Sequence, residues 1–254
     1  MNALPFKVAS ISFLFLVSFI PLGNRKIKVW LIGDSTCAKK EIRAYPETGW
    51  GMPFTYFFDS TVEVDNRATN GRSTKSFIAE NRWQSVLDSM NEGDFVFIQF
   101  GHNDEGKEKV GRYTTPDEFK ANLTRYVNET RNKKGVPILL TPVARRTFDS
   151  TGKIKESHPV YSGAVREVAK KNNVPLIDLD KKSQTLLQQF GPEYSKLLFL
   201  HLSPGEHPNY PDGKEDNTHF NELGARKMAE IVLSEVRNLK LDLAERIVKP
   251  TIKK

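Results

Sequence analysis

The 254-residue chain is poor in cysteine and has no long apolar run. Its single cysteine, Cys37, cannot close an intramolecular bridge, which excludes a small disulfide-stapled scaffold. No apolar stretch approaches the roughly 20 residues of a membrane span. With 27% charged residues and a mean hydropathy of −0.49, a polytopic membrane protein is excluded as well. No internal repeat or low-complexity tract interrupts the chain. Its 38% hydrophobic residues suffice for a substantial core without crosslinks.

The first 23 residues read as an export leader or N-terminal anchor. Lys7 precedes an apolar stretch from Val8 to Ile20, which ends at Pro21-Leu22-Gly23. No clean small-x-small triplet precedes Asn24, so cleavage and anchoring both stay open. Either way the expected location is periplasmic or extracellular, with Cys37 a buried free thiol. The formal charge is +7, and residues 1–23 contribute only Lys7 to it. Basic residues are dispersed apart from the Ile252-Lys253-Lys254 tail, which favours a solvated surface over a nucleic-acid groove. A monomer without a nucleic-acid partner is expected.

From residue 24 to 254 the pattern predicts one α/β domain. Strands are expected at 28–32, 62–64, 95–100, 137–140 and 175–178, several of them continuously apolar, as buried parallel strands are. Thr115-Pro116 reads as the N-cap and first residue of a helix carrying Phe119, Leu123, Tyr126, Val127 and Thr130 at helical spacing, stopped by Gly135. Tyr161, Ala164, Val165, Val168 and Ala169 mark a second helix. A third is expected from Asn221 to Lys240, with Met228, Ile231, Val232, Glu235, Val236 and Leu239 as its stripe. Right-handed crossovers then imply a three-layer α/β/α sandwich around a mostly parallel five-stranded sheet. The longest irregular segment runs from Pro142 to Pro159, with a hairpin-like turn at 149–152.

Polar motifs cluster just beyond the strands: Gly33-Asp34-Ser35-Thr36, Asn70-Gly71-Arg72-Ser73, Gly101-His102-Asn103-Asp104 and, before the last helix, Asp216-Asn217-Thr218-His219. Each alone has a bland reading. Asp and Ser cap helices, Asn-Gly makes turns, and Asn and Asp bond local backbone. Parallel strands, however, send their carboxyl ends to one edge, where three of these segments converge.

Taken together the four motifs resemble those of the SGNH, or GDSL-like, hydrolase superfamily, and most closely the rhamnogalacturonan acetylesterase family. The resemblance spans most of residues 27–240. It implies a flavodoxin-like SGNH hydrolase fold, with Ser35 as nucleophile, His219 as base and Asp216 as the acid orienting it. The Ser35 and Gly71 N–H groups and the Asn103 amide would form the oxyanion hole. It also implies an acyl-enzyme mechanism without cofactor or metal, acting on an acetylated polysaccharide, foremost acetylated rhamnogalacturonan. The parts suit the chemistry: a serine hydroxyl needs an adjacent base, and the base needs a carboxylate to hold its tautomer.

Alternatives stay open at this stage. An acetylxylan esterase, a small-ester or lipid (thio)esterase, a non-hydrolytic carbohydrate-binding protein and an acetyltransferase are all possible on the same scaffold. An α/β-hydrolase is disfavoured, because Gly33 to Cys37 lacks the second glycine of the G-x-S-x-G elbow. His201, His207, Asp212, Glu215, Asp216 and His219 crowd one region, but their spacing fits no familiar metal template. Asp212 competes with Asp216 as the acid, with spacing in favour of Asp216. Arg72, Arg145 and Arg146 are candidates for holding a substrate carboxylate, and Trp50 and Tyr113 for stacking on sugar rings.

Overall fold

The computed structural model describes residues 25–249; the expected leader and the basic tail lie outside the described residues. In chain order the regular elements begin with β1 (Ile27–Gly33), α1 (Gly51–Phe54), β2 (Val62–Asn66), α2 (Thr74–Ala79), α3 (Arg82–Ser89) and β3 (Phe95–Gln99). Then follow α4 (Pro116–Asn132), β4 (Val136–Leu140), α5 (Pro159–Lys171), β5 (Leu176–Ile177), α6 (Leu179–Tyr194), β6 (Phe199–Leu202), β7 (Lys214–Phe220) and α7 (Glu222–Asn238).

Side-chain alternation builds the layers. Val29 and Leu31 of β1, Phe95 and Phe97 of β3, and Ile138 and Leu140 of β4 point to one face, where Phe54, Leu187, Met228, Val232 and Val236 from α1, α6 and α7 cover them. Trp30, Ile32, Val96, Ile98 and Leu139 point to the other, beneath Phe77, Trp83, Leu123, Tyr126 and Val165 from α2 to α5. Burial on both faces is why these strands read as unbroken apolar runs.

All five strands of the main sheet are parallel, in the order β2-β1-β3-β4-β5. The chain leaves β1 toward β2 on one side and resumes with β3 on the other. That reversal opens a crevice at the carboxyl ends of β1 and β3.

Local chemistry explains the expected helices. Thr115 accepts from the Glu118 N–H at 3.2 Å while the Glu118 carboxylate accepts from the Thr115 N–H at 2.7 Å, a reciprocal cap with Pro116 just inside it. The last helix begins at Glu222 under the Asn221 cap and ends at Asn238, and Leu239, assigned to its stripe, is exposed instead. The turn at 149–152 does close a narrow bridge between Phe148 and Ile154.

Two features differ from expectation. An antiparallel ribbon, β6 with β7, stands apart from the main sheet. Helix α6 is not among the expected elements, because its buried positions include Asp180 and Ser183 beside Leu179 and Leu187, which masks the apolar period. Among the described residues no helix is long and apolar enough to cross a membrane.

Candidate active site

Strand β1 ends at Gly33, where a methyl group would lie 2.5 Å from the Gln99 carbonyl oxygen of β3. Only glycine lets the two strand ends approach this closely. The chain then turns helically, the Asp34 carbonyl accepting from Cys37 and Ala38, so that Ser35 stands at the crevice. Asp34 itself is fully buried and holds the turn. Its Oδ1 accepts from the Thr36 N–H at 3.0 Å and the Thr36 hydroxyl at 2.8 Å, and its Oδ2 from His102 Nδ1 at 3.2 Å. Burial opposes its charge, but the His102 ring and the Thr36 donors outweigh that and keep the carboxyl below its ordinary range.

His219 comes from β7, not from the loop expected before the last helix. In a regular strand, residues three apart face opposite sides, which would separate Asp216 from His219. Here Phe220 pairs with Phe199 and Asp216 with Leu200, so residues 217–219 bulge out of the ladder. Asp216 Oδ1 closes the bulge by accepting from the N–H groups of Thr218 (2.7 Å) and His219 (2.9 Å). Its Oδ2 accepts from His219 Nδ1 at 2.8 Å, and His219 Nε2 lies 2.9 Å from Ser35 Oγ.

Because Nδ1 keeps its proton and donates it in a hydrogen bond to Asp216, the neutral ring presents a lone pair at Nε2 to the serine hydroxyl. Burial again works against the carboxylate, but hydrogen bonds from the His219 ring and from the His219 and Thr218 N–H groups hold Asp216 far below the usual range. Asp212 lies outside β7, and His219 Nδ1 bonds Asp216.

The other two motifs close around Ser35. The Thr69 N–H donates to the Gly33 carbonyl, tying the second motif to the first, and Gly71 adopts φ +73°. Asn103 donates from Nδ2 to the Arg72 carbonyl at 3.1 Å, tying the third motif to the second. Neither the Ser35 nor the Gly71 N–H donates to a backbone carbonyl among the described residues. The arrangement therefore joins an activated hydroxyl to a neighbourhood of free neutral donors, the combination acyl transfer requires.

The three arginines singled out in the sequence have partners of their own. Arg72 pairs with Glu80 at 3.0 Å and donates to the Asn70 carbonyl. Arg145 pairs with Glu105 at 3.1 Å. Arg146 bonds Ser195 Oγ, the Pro192 carbonyl and Asn217 Oδ1, which also lies 2.9 Å from His201 Nε2, so Arg146 and His201 brace the bulge that carries His219. Trp50 is a core residue whose Nε1 donates to Gln99, whereas Tyr113 is partly exposed. Cys37 is buried, and burial pushes its thiol well up.

Sequence reasoning missed three contributors. Lys40, with a side chain only 2% exposed, bonds Glu47 at 2.6 Å and Asn70 Oδ1 at 2.8 Å and so anchors the turn bearing Gly71. His102 stacks edge-on against His158 with ring centres 4.3 Å apart, and His158 Nδ1 donates to Glu105 at 2.9 Å. Burial and the His102 charge press His158 down to about 4, against the pull of Glu105. Arg112 lies against Gly71. Only long-range contacts reveal these roles, although His102 stood inside a motif already noted.

The sequence profile of the GDSL-like Lipase/Acylhydrolase family matches residues 31–227, the span that holds all four motifs. The chain belongs to that family. This GDSL-like acylhydrolase is 41% identical over 225 residues to the rhamnogalacturonan acetylesterase RhgT of Bacillus subtilis (strain 168), covering 89% of this chain and 96% of that one. Among solved structures, protein YXIM of Bacillus subtilis superposes with a TM-score of 0.73 at 24% identity, over 85% of this chain and 58% of its longer partner. The acetylxylan esterase Axe2 of Geobacillus stearothermophilus superposes with a TM-score of 0.57 at 17% identity, over 84% of this chain and 94% of that one. At these identities the two structures support the fold, an α/β sandwich of the GDSL-like hydrolase type.

Proposed function

We propose that this acylhydrolase removes O-acetyl groups from a plant cell-wall polysaccharide, foremost acetylated rhamnogalacturonan. The observation that carries the chemistry is the continuous chain from Ser35 Oγ through His219 to Asp216, with bonds of 2.9 and 2.8 Å. The 41% identity to a rhamnogalacturonan acetylesterase over nearly the whole of both chains supports the substrate.

In the proposed reaction His219 Nε2 removes the Ser35 proton as Oγ attacks the acetyl carbonyl. The developing oxyanion takes hydrogen bonds from the Ser35 and Gly71 N–H groups and from the Asn103 amide. His219 then protonates the departing sugar oxygen, and in the second half it activates water to release acetate. No step calls for a cofactor. The apolar segment behind Lys7 supports export to where such polymers occur.

Acetate release from acetylated rhamnogalacturonan, acetylated homogalacturonan and acetylated xylan, followed by proton NMR, tests the reading. The first polymer is expected to be preferred. Release chiefly from xylan would keep the mechanism and move the substrate, whereas silence on all three would point to a small-ester or lipid hydrolase. Ser35→Ala is expected to abolish turnover with the thermal unfolding curve unchanged, and full activity in that variant would remove Ser35 from the mechanism.

A further inference from the structure

We propose that Arg112 determines specificity by holding a carboxylate of the substrate beside the oxyanion glycine. The inference rests on acetylated rhamnogalacturonan, the substrate proposed above, whose uronate rings carry carboxylates, and it names the group that recognises them.

A methyl group in place of the Gly71 hydrogen would lie 3.0 Å from Arg112 Nη1, 3.2 Å from Cζ and 3.4 Å from Nη2. The guanidinium is therefore packed flat against the residue whose N–H we assign to the oxyanion hole. Its electrostatic situation sets it apart from the neighbouring arginines. Arg72 is bound to Glu80, Arg145 to Glu105, and Arg146 to Ser195, Asn217 and Pro192. Among the described residues the Arg112 side chain has neither an ion pair nor a hydrogen bond, although it is half-buried.

Such a guanidinium has lost part of its water and gained no anion, which makes it ready for a planar bidentate partner. Its backbone is held in place. The Arg112 and Tyr113 N–H groups both donate to the Lys109 carbonyl at 2.8 Å, and Thr114 is fastened to Asp104 of the third motif by its N–H and its hydroxyl, each at 3.0 Å. With the acetyl carbonyl seated at Gly71 and Asn103, an acid group on the same or the adjoining sugar ring falls within reach of this fork. Tyr113, partly exposed next to Arg112, offers a ring face to the same sugars.

The test compares wild type with Arg112→Gln and Arg112→Lys on acetylated rhamnogalacturonan oligosaccharides, acetylated xylooligosaccharides and 4-nitrophenyl acetate. For Arg112→Gln, KM on the uronate-containing substrate is expected to rise about tenfold or more relative to its change on either neutral substrate, with the loss carried by KM more than by kcat. Arg112→Lys should recover part of the loss, since it restores the charge but not the fork. Added salt should weaken the wild-type preference for the acidic substrate and leave Arg112→Gln unmoved. Equal losses on all three substrates would overturn the inference by showing action on the oxyanion or on the fold, and wild-type behaviour throughout would overturn it by showing no contact. A wild-type enzyme without preference for the acidic oligosaccharide would defeat the substrate proposal itself, a result read before any variant is made.

Discussion

At the scale of single residues, the site is held together by polar side chains that divide their atoms among several partners. Asn103 spends one N–H on the Arg72 carbonyl, which orients the amide and leaves its second hydrogen for the oxyanion of the proposed reaction. Asn103→Ala is therefore expected to lower kcat about a hundredfold with a small change in KM, measured on 4-nitrophenyl acetate at saturation. Retention of more than a tenth of wild-type kcat would mean that the amide does not face the transition state. Asp34 also illustrates how little of its role is local. Its bonds to Thr36 follow from an ordinary Asx turn, but its bond to His102 joins the turn bearing Ser35 to the loop bearing Asn103 across 68 positions. Gly-Asp-Ser-Thr was legible as a motif; the partner of its aspartate was not.

At the scale of elements, capping and alternation explain which parts were readable. Helix α4 announced itself through Thr115, Pro116 and Glu118, and α7 through Asn221 and its apolar stripe. Helix α6 did not, because Asp180 and Ser183 are buried through partners on other elements: Arg166 at 2.8 Å for Asp180, and the Ala144 N–H for Ser183. The antiparallel ribbon was missed for a related reason. The seven residues Lys214 to Phe220 are mostly polar, and their irregular ladder erases the alternation that marks a strand. That irregularity is what brings Asp216 and His219 to one side. Helix α7 starts just beyond it, with Asn221 accepting from the Gly224 N–H and donating to the Leu197 and Phe199 carbonyls. Asn221→Ala is expected to cost about 1 to 2 kcal/mol, read as a lower urea midpoint at unchanged m-value. An unshifted midpoint would show that neither the cap nor the link to β6 matters.

For the whole molecule, two buried groups set opposing pH dependences. His158 lies near 4 in the fold against 6.5 when unfolded, so the unfolded chain binds the extra proton between these values. Its contribution is complete above about pH 6.5 and is lost as pH falls toward 4, amounting to about 3 kcal/mol. Asp104, buried with three donors on Oδ1 and none on Oδ2, is raised by burial to about 7 from 3.8. Its contribution is complete below about pH 3.8 and is lost as pH rises through 7, amounting to about 4 kcal/mol. The two nearly cancel between pH 4 and 6.5. On acidification across that window the melting temperature of Asp104→Asn should thus fall more steeply than that of wild type. Parallel profiles for the two proteins, measured by thermal unfolding at half-unit intervals, would contradict this balance.

The sequence by itself determined the class of the fold and the residues that meet in the site, because continuous apolar strands, capped amphipathic helices and four short polar motifs are local properties of the chain. It also determined which hydroxyl, imidazole and carboxylate stood available. Tertiary structure alone decided how they are held: the bulge that turns Asp216 and His219 to one side, the buried Lys40 behind the Gly71 turn, and the His102 ring between two motifs. It alone also separated the arginines. Arg72, Arg145, Arg146 and Arg112 are equivalent as letters, and they differ in which carboxylate or carbonyl the fold brings to each guanidinium: Glu80 to Arg72, Glu105 to Arg145, the Pro192 carbonyl to Arg146 and none to Arg112 among the described residues. Such pairings depend on the path of the chain in space, which no local pattern encodes.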